Sequence, residues 1–229
     1  MPTDQNRTAA FEVCAVILAI VLAWLVTRWG LYPLLGVADN APLILRPVSG
    51  FFVAWYLLHR RGLGWWSMGL NRNIAWWQLI VAVALLYLAI MAASRWLVPP
   101  LSELLDMPTP SRPGFILYIR GNLLATLGWL GVGWVVGGFM EECLFRGFLL
   151  NRVAEIFGGR TLGLAVGVVT QACLFGLLHY YSGAYAVVSA GTFAIVSGAC
   201  YLLIGRRLWP LVLAHGIWNS VAIWNVYRS

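Results

Sequence analysis

Two adjacent carboxylates and an arginine lie inside one apolar stretch, Gly137-Gly138-Phe139-Met140-Glu141-Glu142-Cys143-Leu144-Phe145-Arg146-Gly147. An ionisable group within a bilayer costs several kcal/mol, so such residues mark function by default. Glu142 and Arg146 stand four apart with the acid first, the favourable order for a helical ion pair. Glu141 is rotated about 100° from Glu142 on an α-helix, so Arg146 cannot serve both equally. One carboxylate is expected to be paired and structural, the other left to do chemistry. The plain alternative is that both are simply neutralised within the helix.

Two of the three histidines also sit in apolar runs. Phe175 and His179 share a helical face, as do His215 and Asn219. His59, beside Arg60 and Arg61, reads as interfacial. A glutamate, two histidines and an asparagine suit two chemistries. In one, Glu141 and His179 polarise a water for attack on an amide while His215 and Asn219 donate to the tetrahedral oxyanion. In the other, Glu141, His179 and His215 bind Zn²⁺, which supplies the hydroxide. There is no HExxH and no GxSxG, and Ser189 and Ser197 have no base in register.

The elements that must position these groups follow from composition. The chain has 229 residues, 61% hydrophobic and 10% charged, with a mean hydropathy of +0.81. Soluble domains carry roughly a quarter charged residues, so this is a polytopic all-α transmembrane bundle of about seven spans (six to eight). The net charge of +7 comes with no lysine. The arginines are scattered at the ends of apolar runs, which orients a membrane protein and excludes a nucleic-acid surface. Cys14, Cys143, Cys173 and Cys200 form no CxxC pair and read as small buried hydrophobes. The first apolar run lacks a small-x-small cleavage site and reads as a retained helix.

The runs fall at about 11–27, 43–58, 74–98, 115–150, 161–186, 187–204 and 211–226, with the proline-rich stretch 99–114 as the one real loop. Trp65, Trp66, Trp76, Trp77, Trp96 and Trp209 flank spans as interfacial anchors. Residues 1–229 read as one integral-membrane domain, with 1–114 as N-terminal spans of unassigned role and 129–226 as the catalytic helix bundle. Because 115–150 is too long for one span, 115–128 is expected to be interfacial or re-entrant, with 129–151 spanning. The glycines of that run, and the Gly133/Gly137 and Gly163/Gly167 pairs, allow close helix approach; Gly137 and Gly138 could instead leave room for a substrate backbone. Placing Arg60, Arg61, Arg72, Arg152, Arg160, Arg206 and Arg207 inside predicts a site formed by the last four spans, nearer the cytoplasmic face. That requires the helix 164–186 to be tilted or short.

The three blocks Glu141-Glu142…Arg146, Phe175…His179 and His215…Asn219 resemble the EExxxR, FxxxH and HxxxN pattern of one family. It is the CAAX-protease and bacteriocin-processing family, also called the abortive-infection or type II CAAX prenyl endopeptidase family. The likeness covers roughly 135–222 and includes Phe145-Arg146-Gly147 and Leu208-Trp209-Pro210. It implies an intramembrane endopeptidase in which Glu141 activates water with His179, and His215 with Asn219 forms the oxyanion site. Glu142, Arg146 and Phe175 would be supporting residues. No cofactor is expected on this reading, zinc being the alternative. The implied partners are the lipid bilayer and a membrane-anchored protein or peptide substrate, prenylated or not. The all-arginine composition hints at a GC-rich bacterial genome and hence an inner membrane. A non-catalytic scaffold or small transporter would use the same cluster as structure.

Overall fold

The computed structural model describes residues 4–31, 34, 44–71, 73–108 and 118–229. Among the described residues seven long helical runs alternate in direction. The first is α1 (Asp4–Leu25), continued by a π-helical turn Val26–Leu31, followed by α2 (Leu45–Arg60) and α3 (Trp76–Trp96) leading into α4 (Val98–Leu104). Then α5 (Leu123–Val132) passes through π-helical stretches Gly133–Glu141 and Cys143–Leu149 into α6 (Leu150–Ile156). The last three are α7 (Thr161–Leu178), α8 (Ala184–Leu203) and α9 (Trp209–Arg228). Five runs, 4–31, 76–104, 123–156, 161–178 and 184–203, are long and apolar enough to cross a membrane. The protein is an integral membrane helix bundle.

Two ends of the bundle are fixed by polar contacts. At one, Asn6 Nδ2 donates to Ile156 O (3.2 Å), while Glu12 takes Arg61 Nε on one oxygen (2.6 Å) and Arg152 Nε on the other (3.2 Å). The segment after α2 joins this end: Leu208 N donates to Gly69 O, Tyr201 Oη to Met68 O and Trp209 Nε1 to Leu70 O. At the other end, Gly121 N donates to Tyr227 O (3.0 Å), and Arg120 reaches the Ser229 carbonyl.

Several boundaries differ from the sequence reading. Residues 123–128 are not a separate interfacial or re-entrant segment. Asn122 caps the helix by accepting from Ala125 N (3.1 Å), and the helical run that follows continues to Ile156; residues 109–117 lie outside the described set. At 34 residues this run exceeds the ~20 that a span needs. Part of the excess is taken up by i→i+5 bonding, rare and concentrated at functional sites. The break expected near 186–187 falls at His179–Gly183, because Gly183, at φ +89°, ends the short 3₁₀ turn Tyr180–Ser182. The helix expected over 164–186 is therefore short, and His179 stands at its very end. Trp65 is buried and stacked on Phe51 at 4.7 Å, so it is a core residue and not an anchor. Cys14 and Cys173 are exposed on the apolar surface, and only Cys143 is fully buried.

The small residues act by helix approach. A Cβ on Gly167 would lie 2.5 Å from Leu150 O, and one on Gly163 2.6 Å from Ala154 O, so α7 rests backbone-to-backbone on α6. A Cβ on Gly138 would lie 3.1 Å from Val212 O. The space at Gly138 is filled by the α9 backbone, while Gly137 faces the Asn219 amide and also lines the cavity described below.

Candidate functional site

Glu141 and Glu142 lie mid-run in 123–156, where the packing separates them. Glu142 Oε1 accepts from Arg146 Nη1 (3.0 Å) and from His215 Nδ1 (2.8 Å). The side chains of Glu142 and Arg146 have no solvent exposure. Arg146 is sandwiched, its guanidinium carbon 4.8 Å from the Phe175 ring centroid and 5.5 Å from that of Phe193. Such cation–π contacts stabilise a desolvated guanidinium. Glu141 keeps 15% of its side chain exposed, with Oε2 4.0 Å from His215 Nε2.

His179 ends α7 with Nδ1 donating to the Phe175 carbonyl (2.9 Å). In the neutral ring that bond leaves the Nε2 lone pair free to accept a proton. His215 is held likewise: its Nδ1–H donates to Glu142, and Nε2 faces Glu141. Phe193 packs on the His215 ring with centroids 4.6 Å apart, and Phe175 on His179 at 4.9 Å. Asn219, one turn beyond His215, donates one amide hydrogen to Gly133 O (3.0 Å).

The register of α9 is set by Trp134. A Cβ on Gly216 would lie 2.4 Å from the Trp134 ring, so the indole lies flat on the α9 backbone. Trp134 Nε1 donates to Ser220 Oγ (3.0 Å), and Ser220 Oγ donates to Gly216 O (2.8 Å). The residues just after His215 and just after Asn219 are thus clamped by one side chain.

Glu141, His179, His215, Asn219 and Phe175 all line one cavity of about 480 Å³. Glu142 and Arg146 lie behind it. Its remaining walls are largely apolar and include Ile119, Trp129, Val132, Val136, Trp218, Ile223 and Val226. It extends toward the end where Ile119 meets the C-terminus of α9, away from the Glu12–Arg61–Arg152 end. The site was expected nearer the arginine-rich face; the cavity leads to the opposite one.

The sequence pattern pointed to acids and histidines that the structure gathers at one cavity, but not to four neighbours: Arg46, Trp134, Tyr181 and Phe193. Burial and the nearby Glu141 carboxylate push the Tyr181 phenol up to about 12, so it remains a neutral hydroxyl lining the cavity. A tyrosine two places after FxxxH carries no spacing signal, and Arg46 reads in the sequence as one more loop arginine. Among the described residues no group of three His, Cys, Asp or Glu is arranged to hold a metal ion. Glu141, His179 and His215, the donors zinc would need, all line the cavity.

A seven-run helical bundle with a buried acid–histidine–asparagine cluster at one apolar cavity defines a polytopic membrane protein with a built polar centre. Residues 123–221 match the family model described as type II CAAX prenyl endopeptidase Rce1-like, and that stretch contains all three motif blocks. Over that stretch, less than half of the chain, it is similar to the CAAX-type membrane protease family. No curated protein and no solved structure matches the chain.

Proposed function

We propose that the chain is an intramembrane endopeptidase in which Glu141 activates the attacking water. A water between Glu141 and His179 gives its proton to the Glu141 carboxylate, and the hydroxide adds to the scissile carbonyl carbon. The carbonyl oxygen becomes an oxyanion beside the Asn219 amide and His215 Nε2. As the C–N bond breaks, the proton passes from Glu141 to the leaving nitrogen. The observation that carries this reading is the division of labour between the carboxylates: Glu142 is spent on Arg146 and His215, while Glu141 faces the cavity.

The metal-free reaction is our reading. Zinc held through the Nε2 atoms of His179 and His215, whose Nδ1 atoms are engaged as they would be in a zinc site, is the alternative that chelation tests. The apolar cavity supports a membrane-anchored peptide as substrate. The all-arginine composition supports residence in a bacterial inner membrane. The test is hydrolysis, by the purified chain in vesicles, of internally quenched peptides ending in Cys-aliphatic-aliphatic-Met, farnesylated and unmodified. Cleavage should persist in EDTA and 1,10-phenanthroline. Activity lost on chelation and restored together with one stoichiometric zinc contradicts the glutamate mechanism.

A further inference from the structure

Trp134 stands seven residues before Glu141, and Ser220 directly follows Asn219. Neither belongs to a motif block. Among the described residues that line the cavity, Trp134, Gly216 and Ser220 do not figure. Trp134 keeps 36% of its surface exposed, so burial in a core does not account for its placement. Its ring nevertheless lies on the α9 backbone: a Cβ on Gly216 would meet three of its carbons at 2.4, 2.5 and 2.7 Å.

The polar contacts of this ring run in one direction. An indole N–H can only donate, so Ser220 Oγ accepts from Trp134 Nε1 (3.0 Å) and gives its own hydrogen to Gly216 O (2.8 Å). Ring and relay therefore grip the same turn of α9, at Gly216 and Ser220. Each lies about 100° around the helix from the residue before it, and those preceding residues, His215 and Asn219, line the cavity. Gly133, the neighbour of Trp134, meets the same turn from the cavity side. Its carbonyl takes one Asn219 amide hydrogen (3.0 Å), and a Cβ on it would lie 3.2 Å from Asn219 Cβ. Two consecutive residues of the acid-bearing run thus hold one turn of α9 from two sides. His215 has the buried Glu142 carboxylate as its own anchor (2.8 Å); Asn219 depends on the turn that Trp134 grips.

We propose that Trp134 is a positioning residue for hydrolysis: its grip on Gly216 and Ser220 sets the rotation of α9, so that the remaining Asn219 amide hydrogen points at the oxyanion. A turn of about 20° in a helix whose side chains reach about 5–6 Å from its axis carries a side-chain tip about 2 Å. Misplacement by about 1 Å can cost about a hundredfold in rate. The assignment rests on the hydrolytic reading above. Because Trp134 lies outside the cavity wall, its effect on the rate passes through Asn219.

The experiment is a double-mutant cycle on the full chain in vesicles, with the quenched peptides described above. Trp134→Ala should lower kcat at least about tenfold and leave KM within about twofold, since the lost interaction is made in the transition state. In an Asn219→Ala background, where the aimed donor is already gone, the same substitution should cost less than about threefold. Unchanged kcat, or the same factor in both backgrounds, overturns the proposal, because Trp134 would then only pack. If Trp134→Ala misfolds, Trp134→Phe and Ser220→Ala, which each break the relay and spare the rest, go through the same cycle with the same criterion. Hydrogen exchange without substrate is measured alongside. Backbone amides of residues 216–223 should exchange faster in the Trp134 variant than in the unmodified chain, and those of α8 should not. Equal exchange overturns the proposal whether or not the chain cleaves. Absence of cleavage by the unmodified chain would count against the protease reading, and exchange alone would then decide the grip.

Discussion

Glu142 serves two partners through one oxygen, Arg146 from its own helix and His215 from α9. That makes it the joint between the helix carrying the acids and the helix carrying the asparagine. A buried ion pair adds little net stability over an apolar pair, but removing one partner strands the other charge at a cost of about 3–5 kcal/mol. Glu142→Gln is therefore expected to lower the thermal midpoint in detergent clearly, since Arg146 has no route to solvent. Glu141→Gln, whose side chain among the described residues pairs with nothing closer than the 4.0 Å contact to His215, should leave the midpoint nearly unchanged. Equal destabilisation by both substitutions would mean that the two carboxylates are not divided between structure and chemistry.

The helical elements matter through how closely they approach. A Cβ on Gly137 would lie 2.4 Å from Asn219 Nδ2, the movable end of a side chain, so Gly137→Ala should fold but push Asn219 aside. A drop in kcat of at least tenfold is expected, the scale of losing one oxyanion donor. Gly131→Ala, with no neighbour within 4 Å, should keep full activity, and steady-state kinetics of the two variants checks the contrast. This level also shows what was legible beforehand. The Glu142–Arg146 pair and the shared faces of Phe175 with His179 and His215 with Asn219 are local, so spacing alone revealed them. The His215–Glu142 bond joins residues 73 apart in sequence, and no periodicity encodes it. The π-helical winding of 133–149 and the end of α7 at His179 were equally hidden. Both depend on how glycines meet neighbouring helices and on the positive φ of Gly183, not on apolar pattern.

At the scale of the molecule, alternation of the seven runs places residues 7 and 206 at one end and 120 and 228 at the other. Cysteines at positions 7 and 206 in a Cys-free background should react with an impermeant maleimide from one side of sealed vesicles only. Those at 120 and 228 should react from the other side only. Labelling of all four from the same side would break the topology. The ionic tie of Glu12 to Arg61 and Arg152 locks α1 and α2 to the run that bears the acids, so the N-terminal spans take part in holding the site. A scaffold or transporter would use the polar cluster to stay folded; a protease uses it to cleave. The direct measurement is the rate at which purified Glu141→Gln, matched in yield and thermal midpoint to the unmodified chain, hydrolyses the quenched CAAX-type peptides in vesicles. A fall of at least a thousandfold in kcat, on the scale of losing a general base, with the fold intact, is the result predicted here. Near-normal turnover by Glu141→Gln would contradict Glu141 as the residue that activates water.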